Sequence, residues 1–276
     1  MGDLCSVTIL GRGRVGRTLA TLAERRGHSV RLRPGRGEAP AAAIPPGLVL
    51  LTVPDDAIAE VAERLAGSGQ LGEGHVVAHC SGALGSDVLA ALRTGGCVTG
   101  SMHPLQTFPD AEAGATRFAG SWCFIEGDAS AVAALEAFVE GLGGRVQRIA
   151  TDAKPLYHAA AVLACNCWVP LIEAACRLAD RAGIAEADFL PALRPLLEAT
   201  VANVVDRGPA AALTGPVVRG DAETLAREVH AMAGADPRAG SLYNAAGLWT
   251  LDLAVRAGRL DPRAARAVRK ALGEHA

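Results

Sequence analysis

One stretch constrains this chain more than any other: Val7-Thr8-Ile9-Leu10-Gly11-Arg12-Gly13-Arg14-Val15-Gly16. A short apolar run ends in glycines spaced G-x-G-x-x-G. A helical pattern follows, with Val15, Leu19, Leu22 and Ala23 on one face. Strand, glycine turn and amphipathic helix in that order open a βαβ unit that binds a dinucleotide. Each glycine then has its own task. Gly11 allows the tight turn out of the strand, and Gly13 leaves room for a pyrophosphate against the backbone. Gly16 lets the helix pack closely on the strand. The helix start adds unpaired N–H groups and the positive end of its dipole. Gly11, Gly13, Arg14, Val15 and Gly16 are therefore the first cofactor-binding candidates. An ordinary glycine-rich turn is the plainer alternative.

Composition narrows the class. At 276 residues the chain suits one large domain or two modest ones. Half of it is hydrophobic and only 4% aromatic, which fits α/β and all-α packing better than a β-sandwich. A net charge of -2 points to neither nucleic acid nor an anionic membrane surface. The seven cysteines are odd in number and scattered among apolar residues, as reduced thiols of a cytoplasmic protein would be. Cys165 and Cys167 are one residue apart and no CxxC pair exists, so no metal site is expected. No signal peptide is expected, and no apolar run is read as long enough to span a bilayer.

Along the first half, residues 28–32 read as the second strand. An NAD site would place an acid at its end to hold the ribose 2′-hydroxyl. Here stand Arg31, Arg33 and Arg36, with no acid before Glu38. Cations suit a 2′-phosphate, so NADP (as NADPH) is expected, with Arg33 as the candidate. A solvated basic loop is the alternative. Residues 38–46 read as a surface connection. Residues 48–53 form a strand buried on both faces. It ends Thr52-Val53-Pro54-Asp55-Asp56. Ligands of a doubly wound sheet lie beyond the carboxyl ends of the strands. Thr52, Val53 and Pro54 are thus placed beside the cofactor, while Asp55 or Asp56 reads as a helix cap. The strand at 75–78 opens into His79-Cys80-Ser81-Gly82, before a helix at 86–93. The strand at 97–101 leads into Ser101-Met102-His103-Pro104. Two strand ends thereby bring Ser81 and His103 to one edge, where a His suits proton transfer or orientation of a carboxylate. His75 and His79 read as structural. Strands at 122–126 and 145–149, flanking a helix at 130–142, complete a first domain of residues 1–150.

The second domain, residues 151–276, reads as helical. Thr151 or Asp152 caps its first helix. That helix runs to about residue 182, is apolar nearly all round, and is expected to be buried against neighbouring helices and another subunit, with a kink at Pro170. Lys154 and His158 share one face. Asn166 lies about 80° further round at about 100° per residue. A Lys can give an incipient alkoxide its proton, and an Asn can hold the substrate oxygen. A solvated Lys and a satisfied core amide are the plainer alternatives, and Tyr157 reads as packing. Residues 187–206 form a helix with an irregular start at Pro191 and Pro195. The loop at 213–221 offers Arg219, either to clamp a carboxylate or to brace helix ends, and Asp221 caps the next helix.

Six segments, GRGRVG, LTVPDDAI, HCSGALGSDVL, GSMHPLQTF, LYHAAAVLACN and LTGPVVRGD, occur in order over residues 11–221. In them the chain resembles the Rossmann-like proteins that carry the DUF2520 domain, within the 6-phosphogluconate-dehydrogenase-like superfamily. The resemblance implies an α/β Rossmann-like domain with a mostly parallel, doubly wound sheet, and an all-α C-terminal domain for substrate and dimerisation. It implies a homodimer formed through the helical domain. The implied activity is an NADPH-dependent reduction of a small-molecule carboxylate substrate, a 2-oxo acid such as 2-dehydropantoate, as in alternative ketopantoate reductases. Lys154 matches the superfamily's proton-donating Lys and Asn166 its substrate-holding Asn. His158 stands where hydroxyacid dehydrogenases of the superfamily have Asn. His103-Pro104 resembles the pair of prephenate dehydrogenases whose His touches the substrate hydroxyl. The expected catalytic set is Lys154, His103, Asn166, Ser81 and His158. The competing expectations are an imine, pyrroline or F420-dependent reductase of similar fold, and an NADP-binding protein without catalysis.

Overall fold

The computed structural model describes residues 6–35 and 43–273. It divides into two compact units, Met1–Leu163 and Ala164–Ala276. Arg36 and the start of the 38–46 connection lie outside the described residues.

In the first unit, Ser6–Leu10 (β1) leads through the glycine turn into Arg14–Arg25 (α1). Gly27, at φ 83°, follows the end of that helix as a left-handed residue should. The chain continues through Ser29–Arg33 (β2), Gly47–Leu51 (β3), Asp55–Gly67 (α2) and His75–His79 (β4). A 3₁₀ turn at Ser86–Leu89 precedes Ala90–Arg93 (α3), so the helix expected at 86–93 is half 3₁₀. Then come Val98–Pro104 (β5), Ala111–Arg117 (α4), Trp122–Gly127 (β6), Ala129–Gly141 (α5) and Arg145–Arg148 (β7).

The seven strands form one sheet in the order β2-β1-β3-β4-β5-β6-β7. All neighbours run parallel except β5 and β6. Val49, Leu50, Leu51 and Val77 are fully buried because helices cover both faces of the central strands. Leu50 and Ala78 pack with α1 and α5, whereas Val49, Leu51 and Val77 pack with α2. The sheet reads as mostly parallel and doubly wound, as expected. β5 runs three residues beyond the expected end, because antiparallel pairing with β6 continues through His103↔Phe124 and Pro104↔Cys123. His103 is therefore held inside a strand rather than after one.

A 3₁₀ turn at Thr151–Ala153 opens Lys154–Ala161 (α6). Neither Thr151 nor Asp152 caps it with a side chain, and the Thr151 hydroxyl donates instead to Glu126, 2.7 Å away. A π turn follows at Val162–Asn166.

The second unit is helical throughout: Trp168–Arg181 (α7), Glu186–Arg207 (α8), Pro209–Ala212 (α9), Pro216–Arg219 (α10), Ala222–Ala235 (α11), Pro237–Arg256 (α12) and Pro262–Ala271 (α13). Pro170 falls in the first turn of α7, where its missing N–H is not needed, so the expected kink is replaced by the π turn before it. α8 continues through Pro191 and Pro195 without a break. Asp221 caps α11, accepting from Thr224 N at 3.1 Å. The main hydrophobic cluster of the unit is small: Val217, Leu225, Leu251, Val268 and Leu272. α7 buries only Cys176 and Ala179, and α8 buries nothing. The expectation that neighbouring helices bury this helix all round is thus corrected: within the chain most of its apolar residues face outward. The helical stretch Thr151–Arg181, with mean hydropathy 1.6, is by length and composition long enough to cross a membrane. That corrects the reading of no such run, since the π turn joins two apolar segments into one.

Candidate functional site

The carboxyl ends of the parallel strands line up. Leu10 pairs with Leu51, Leu51 with His79, and His79 with Ser101. The glycine turn, the Thr52 turn, Ser81 and His103 therefore follow one another along a single edge of the sheet. In an open α/β sheet this is the ligand edge.

The glycine turn is shaped by contacts that exclude side chains. Gly11 sits at φ 130°, and a Cβ there would stand 2.7 Å from the Thr52 carbonyl oxygen. A Cβ on Gly16 would meet the Gly11 carbonyl oxygen at 2.1 Å. The Thr52 hydroxyl ties the two turns, donating to Gly11 O at 3.0 Å. Gly13 differs: nothing lies within 4 Å of where its Cβ would be. Gly13 caps α1 in an extended conformation, and it and Arg14 are exposed. The turn is closed behind Gly11 and Gly16 and open over Gly13, as a phosphate cradle requires. Arg33 ends β2 level with Leu10, and its carbonyl accepts from Gly11 N at 3.0 Å. Arg31 donates to Ser6 Oγ at 3.1 Å, at the other end of the sheet. Pro54 precedes α2 as its cap residue, so neither Asp55 nor Asp56 caps it with a side chain. Asp55 accepts instead from Ser81 Oγ at 2.7 Å.

Further along the edge lies a buried polar group. Lys154 is 1% exposed, and its Nζ donates to Ser81 O at 2.9 Å and to Ser101 Oγ at 2.5 Å. The Glu126 carboxylate is 3.9 Å away and itself nearly buried. That carboxylate accepts from Ser86 N, Ser86 Oγ, Ser101 Oγ and Thr151 Oγ1 at 2.5–2.9 Å. Burial pushes the Glu126 carboxyl up, but the hydrogen bonds from Ser101, Thr151 and Ser86 outweigh it and hold it below the ordinary range. Burial lowers the Lys154 ammonium to about 8, against the opposing pull of Glu126. His79 braces the same turn: Nε2 donates to Gly85 O at 3.0 Å and Nδ1 accepts from Ser81 N at 3.2 Å. Burial drops its pKa to about 4.

Beside this group stands a ring cluster. His103 Nδ1 lies 2.8 Å from the Tyr157 hydroxyl. The His103 and His158 rings meet edge to face, 5.5 Å between centroids. Both turn toward Gly82, where a Cβ would stand 2.4 Å from His158 Nδ1 and 2.9 Å from His103 Nε2. The absence of a side chain at Gly82 is what admits the two rings. Burial, with the charges of His158 and Lys154, lowers His103 to about 4, so it is neutral near pH 7.

Of the expected catalytic residues, Ser81, His103, Lys154 and His158 share this part of the first unit, whereas Asn166 belongs to the second unit and is exposed there. Sequence reasoning missed Glu126, Asp55, Gly82 and the hydrogen-bonding role of Tyr157. Glu126 carried a signal: it is the one acid in the apolar strand WCFIEG. The others depend on contacts between residues far apart in the chain.

Residues 121–250 match the family described as a domain of unknown function, DUF2520, and residues 36–104 match a Rossmann-like domain. No curated protein matches the sequence. Solved structures share the fold. Protein TM1727 from Thermotoga maritima is 23% identical with a TM-score of 0.70, over 91% of this chain and 98% of that one. A reductive aminase from Aspergillus terreus, in complex with NADPH and ethyl-5-oxohexanoate, is 18% identical with a TM-score of 0.60, over 97% and 99%. The imine reductase BcSIRED from Bacillus cereus BAG3X2 is 17% identical with a TM-score of 0.56, over 86% and 90%. With an α/β unit built around a strand–glycine–helix opening and a helical unit after it, the chain belongs to the Rossmann-like proteins that carry the DUF2520 domain.

Proposed function

We propose that this protein is an NADPH-dependent oxidoreductase that reduces a small 2-oxo acid, with 2-dehydropantoate the foremost candidate. The observation that carries the reading is the open space over Gly13 in a turn otherwise closed by Thr52. The residues present fit a dinucleotide. Gly13 and the first N–H groups of α1, at Arg14 and Val15, would take the pyrophosphate, with Gly11 and Gly16 shaping the turn. Arg33 would meet the 2′-phosphate. Thr52, Val53 and Pro54 would flank the nicotinamide ribose. Bound there, the cofactor supplies a hydride. NADPH in the complex of a protein of similar fold supports this choice of carrier.

The chain's own residues do the remaining work in this reading. His103, half-buried at the sheet edge, contacts the substrate oxygen, with His158 beside it. Ser81 is held by Asp55 and shapes the turn between them. Lys154 donates to Ser81 O and Ser101 Oγ from a buried position, so we assign it to holding this turn and to setting its positive field. Asn166 keeps its substrate role on the family resemblance alone. We assign residues 1–150 to the cofactor and 151–276 to substrate and dimerisation. The exposed apolar residues of α7 and α8 support a homodimer. A cytoplasmic location accords with a diffusible carrier.

An imine reductase is the second reading, favoured by the fold shared with BcSIRED. One experiment separates them: NADPH absorbance followed after adding 2-dehydropantoate, other 2-oxo acids or a cyclic imine. Oxidation with 2-dehydropantoate, lost in His103→Ala, supports the first reading. Turnover of the imine alone replaces it with the second. A protein without affinity for NADPH, NADH or reduced F420 defeats both.

A further inference from the structure

Tyr157 reads from the sequence as packing, yet its hydroxyl lies 2.8 Å from His103 Nδ1. Two features fix where that hydroxyl falls. The Tyr157 ring lies against Phe124, with centroids 4.2 Å apart and planes 31° from parallel. Phe124 is in turn the cross-strand partner of His103 in the antiparallel pair of β5 and β6. The strand register therefore sets the ring, and the ring sets the hydroxyl against one nitrogen of one imidazole.

A neutral imidazole carries a single N–H, and the partner of one nitrogen decides which nitrogen holds it. Were Nδ1 protonated, it would donate to the Tyr157 oxygen, and the phenolic hydrogen would have no acceptor among the described residues. With the phenol as donor, both groups are satisfied and the proton sits on Nε2. A phenol is also the better donor and an imidazole nitrogen the better acceptor. Nε2 has no hydrogen-bond partner among the described residues. It faces the Gly82 edge, where His158 Nδ1 is likewise buried without a partner. Two nitrogens without protein partners thus converge beside a residue that has no side chain.

We infer that Tyr157 is a positioning residue that locks His103 as the Nε2–H tautomer, so that the Gly82 edge presents a hydrogen-bond donor to a carbonyl or carboxylate oxygen. The inference deepens the reductase reading and rests on it for the kind of ligand. A neutral N–H polarises an oxygen by hydrogen bonding without giving up its proton, so no proton transfer from His103 is involved and the alkoxide left by hydride transfer takes its proton from water. The groups around the ring keep it neutral. Burial, His158 and Lys154 disfavour the cation, and Asp55 alone pulls the other way.

The test is long-range nitrogen–proton NMR of the full chain labelled at histidine, with and without Tyr157→Phe, which keeps the ring against Phe124. In the wild type, His103 should show a protonated Nε2 and a bare Nδ1, and 2-dehydropantoate added with NADP should move the Nε2 resonance. In Y157F the two tautomers should mix and the His103 pKa should rise, because the neutral form has lost its donor, while burial, His158 and Lys154 still hold it below the ordinary range. Affinity for the oxo acid should fall roughly tenfold, the size of one lost hydrogen bond. A wild-type Nδ1–H tautomer, or His103 nitrogen shifts unchanged in Y157F, overturns the inference. So does an Nε2 resonance that ignores the oxo acid while NADP still binds by tryptophan fluorescence. Loss of NADP binding itself would instead be the failure of the reductase reading.

Discussion

The two units use their apolar residues in opposite ways. The first wraps helices over both faces of a sheet, so Ile9, Leu50, Leu51 and Ile125 are fully buried. The polar group buried around Lys154 is paired too: Glu126 accepts four hydrogen bonds, and Lys154 donates to two oxygens. Among the described residues the second unit buries one cluster of five, Val217, Leu225, Leu251, Val268 and Leu272, and a few other side chains besides, while Leu196 and Val205 on α8 are 63% and 75% exposed. Runs of Ala, Leu and Val look alike in both. A sheet supplies its own cover once helices return over it, whereas a bundle helix is covered only if another helix lies on it. The first unit therefore covers its own apolar surface, whereas the second leaves much of its own exposed, which is what the proposed homodimer would cover.

That contrast can be broken most forcefully at Glu126. If the buried network holds the first unit together, Glu126→Ala strands Lys154 and several hydroxyls and costs about 3–5 kcal/mol, read by urea unfolding. A midpoint unchanged from wild type would mean that the network is ornamental. The next effect is a pH dependence. His79 is held near 4 against an ordinary 6.5, so its neutral form is favoured in the fold. Its contribution is full above about pH 6.5 and is lost as pH falls through about 4. This amounts to at most about 3 kcal/mol for a shift of this size. Thermal melts from pH 7 to 4 should show the loss, and His79→Asn should flatten it.

On the second unit the expected sign is reversed. Leu196→Glu with Val205→Glu should leave the fold intact and weaken self-association about a hundredfold, or about 2.7 kcal/mol, as sedimentation would show. A wild-type protein that is monomeric at all concentrations would remove the partner from the picture. The smallest effect sharpens the comparison inside the glycine turn. Gly13→Ala meets nothing within 4 Å and should spare the melting temperature while weakening NADPH roughly tenfold, about 1.4 kcal/mol. Gly16→Ala, whose Cβ would clash with Gly11 O, should lower the melting temperature itself.

Much of the fold was legible because it is written in local periodicity. The apolar run before Gly11, the amphipathic α1 and the all-apolar β3 each carry their own pattern, and the glycine turn is a contiguous motif in which Gly11 and Gly16 leave no room for a side chain and Gly13 does. α4 went unseen because seven residues with three alanines and a glycine hold no periodic stripe. The reach of β5 to Pro104 was hidden because it depends on an antiparallel partner nineteen residues on. Asp55 and Thr151 looked like caps by position, yet each is taken by a side chain from elsewhere, Ser81 and Glu126. At the candidate site, Ser81 and His103 could be brought to one edge from strand order alone. Which nitrogen of His103 faces outward could not.

By itself the sequence determined the βαβ opening, the alternation that builds a doubly wound sheet, and the switch to helices after residue 150. These follow from interactions within a few residues, where spacing fixes direction. Tertiary structure alone decided that Lys154 is enclosed, that Glu126 gathers its donors, that Tyr157 reaches His103 and that α8 faces outward. Each depends on which distant segment arrives alongside, and a side chain's burial, charge and hydrogen-bond partner are properties of that neighbour as much as of the residue.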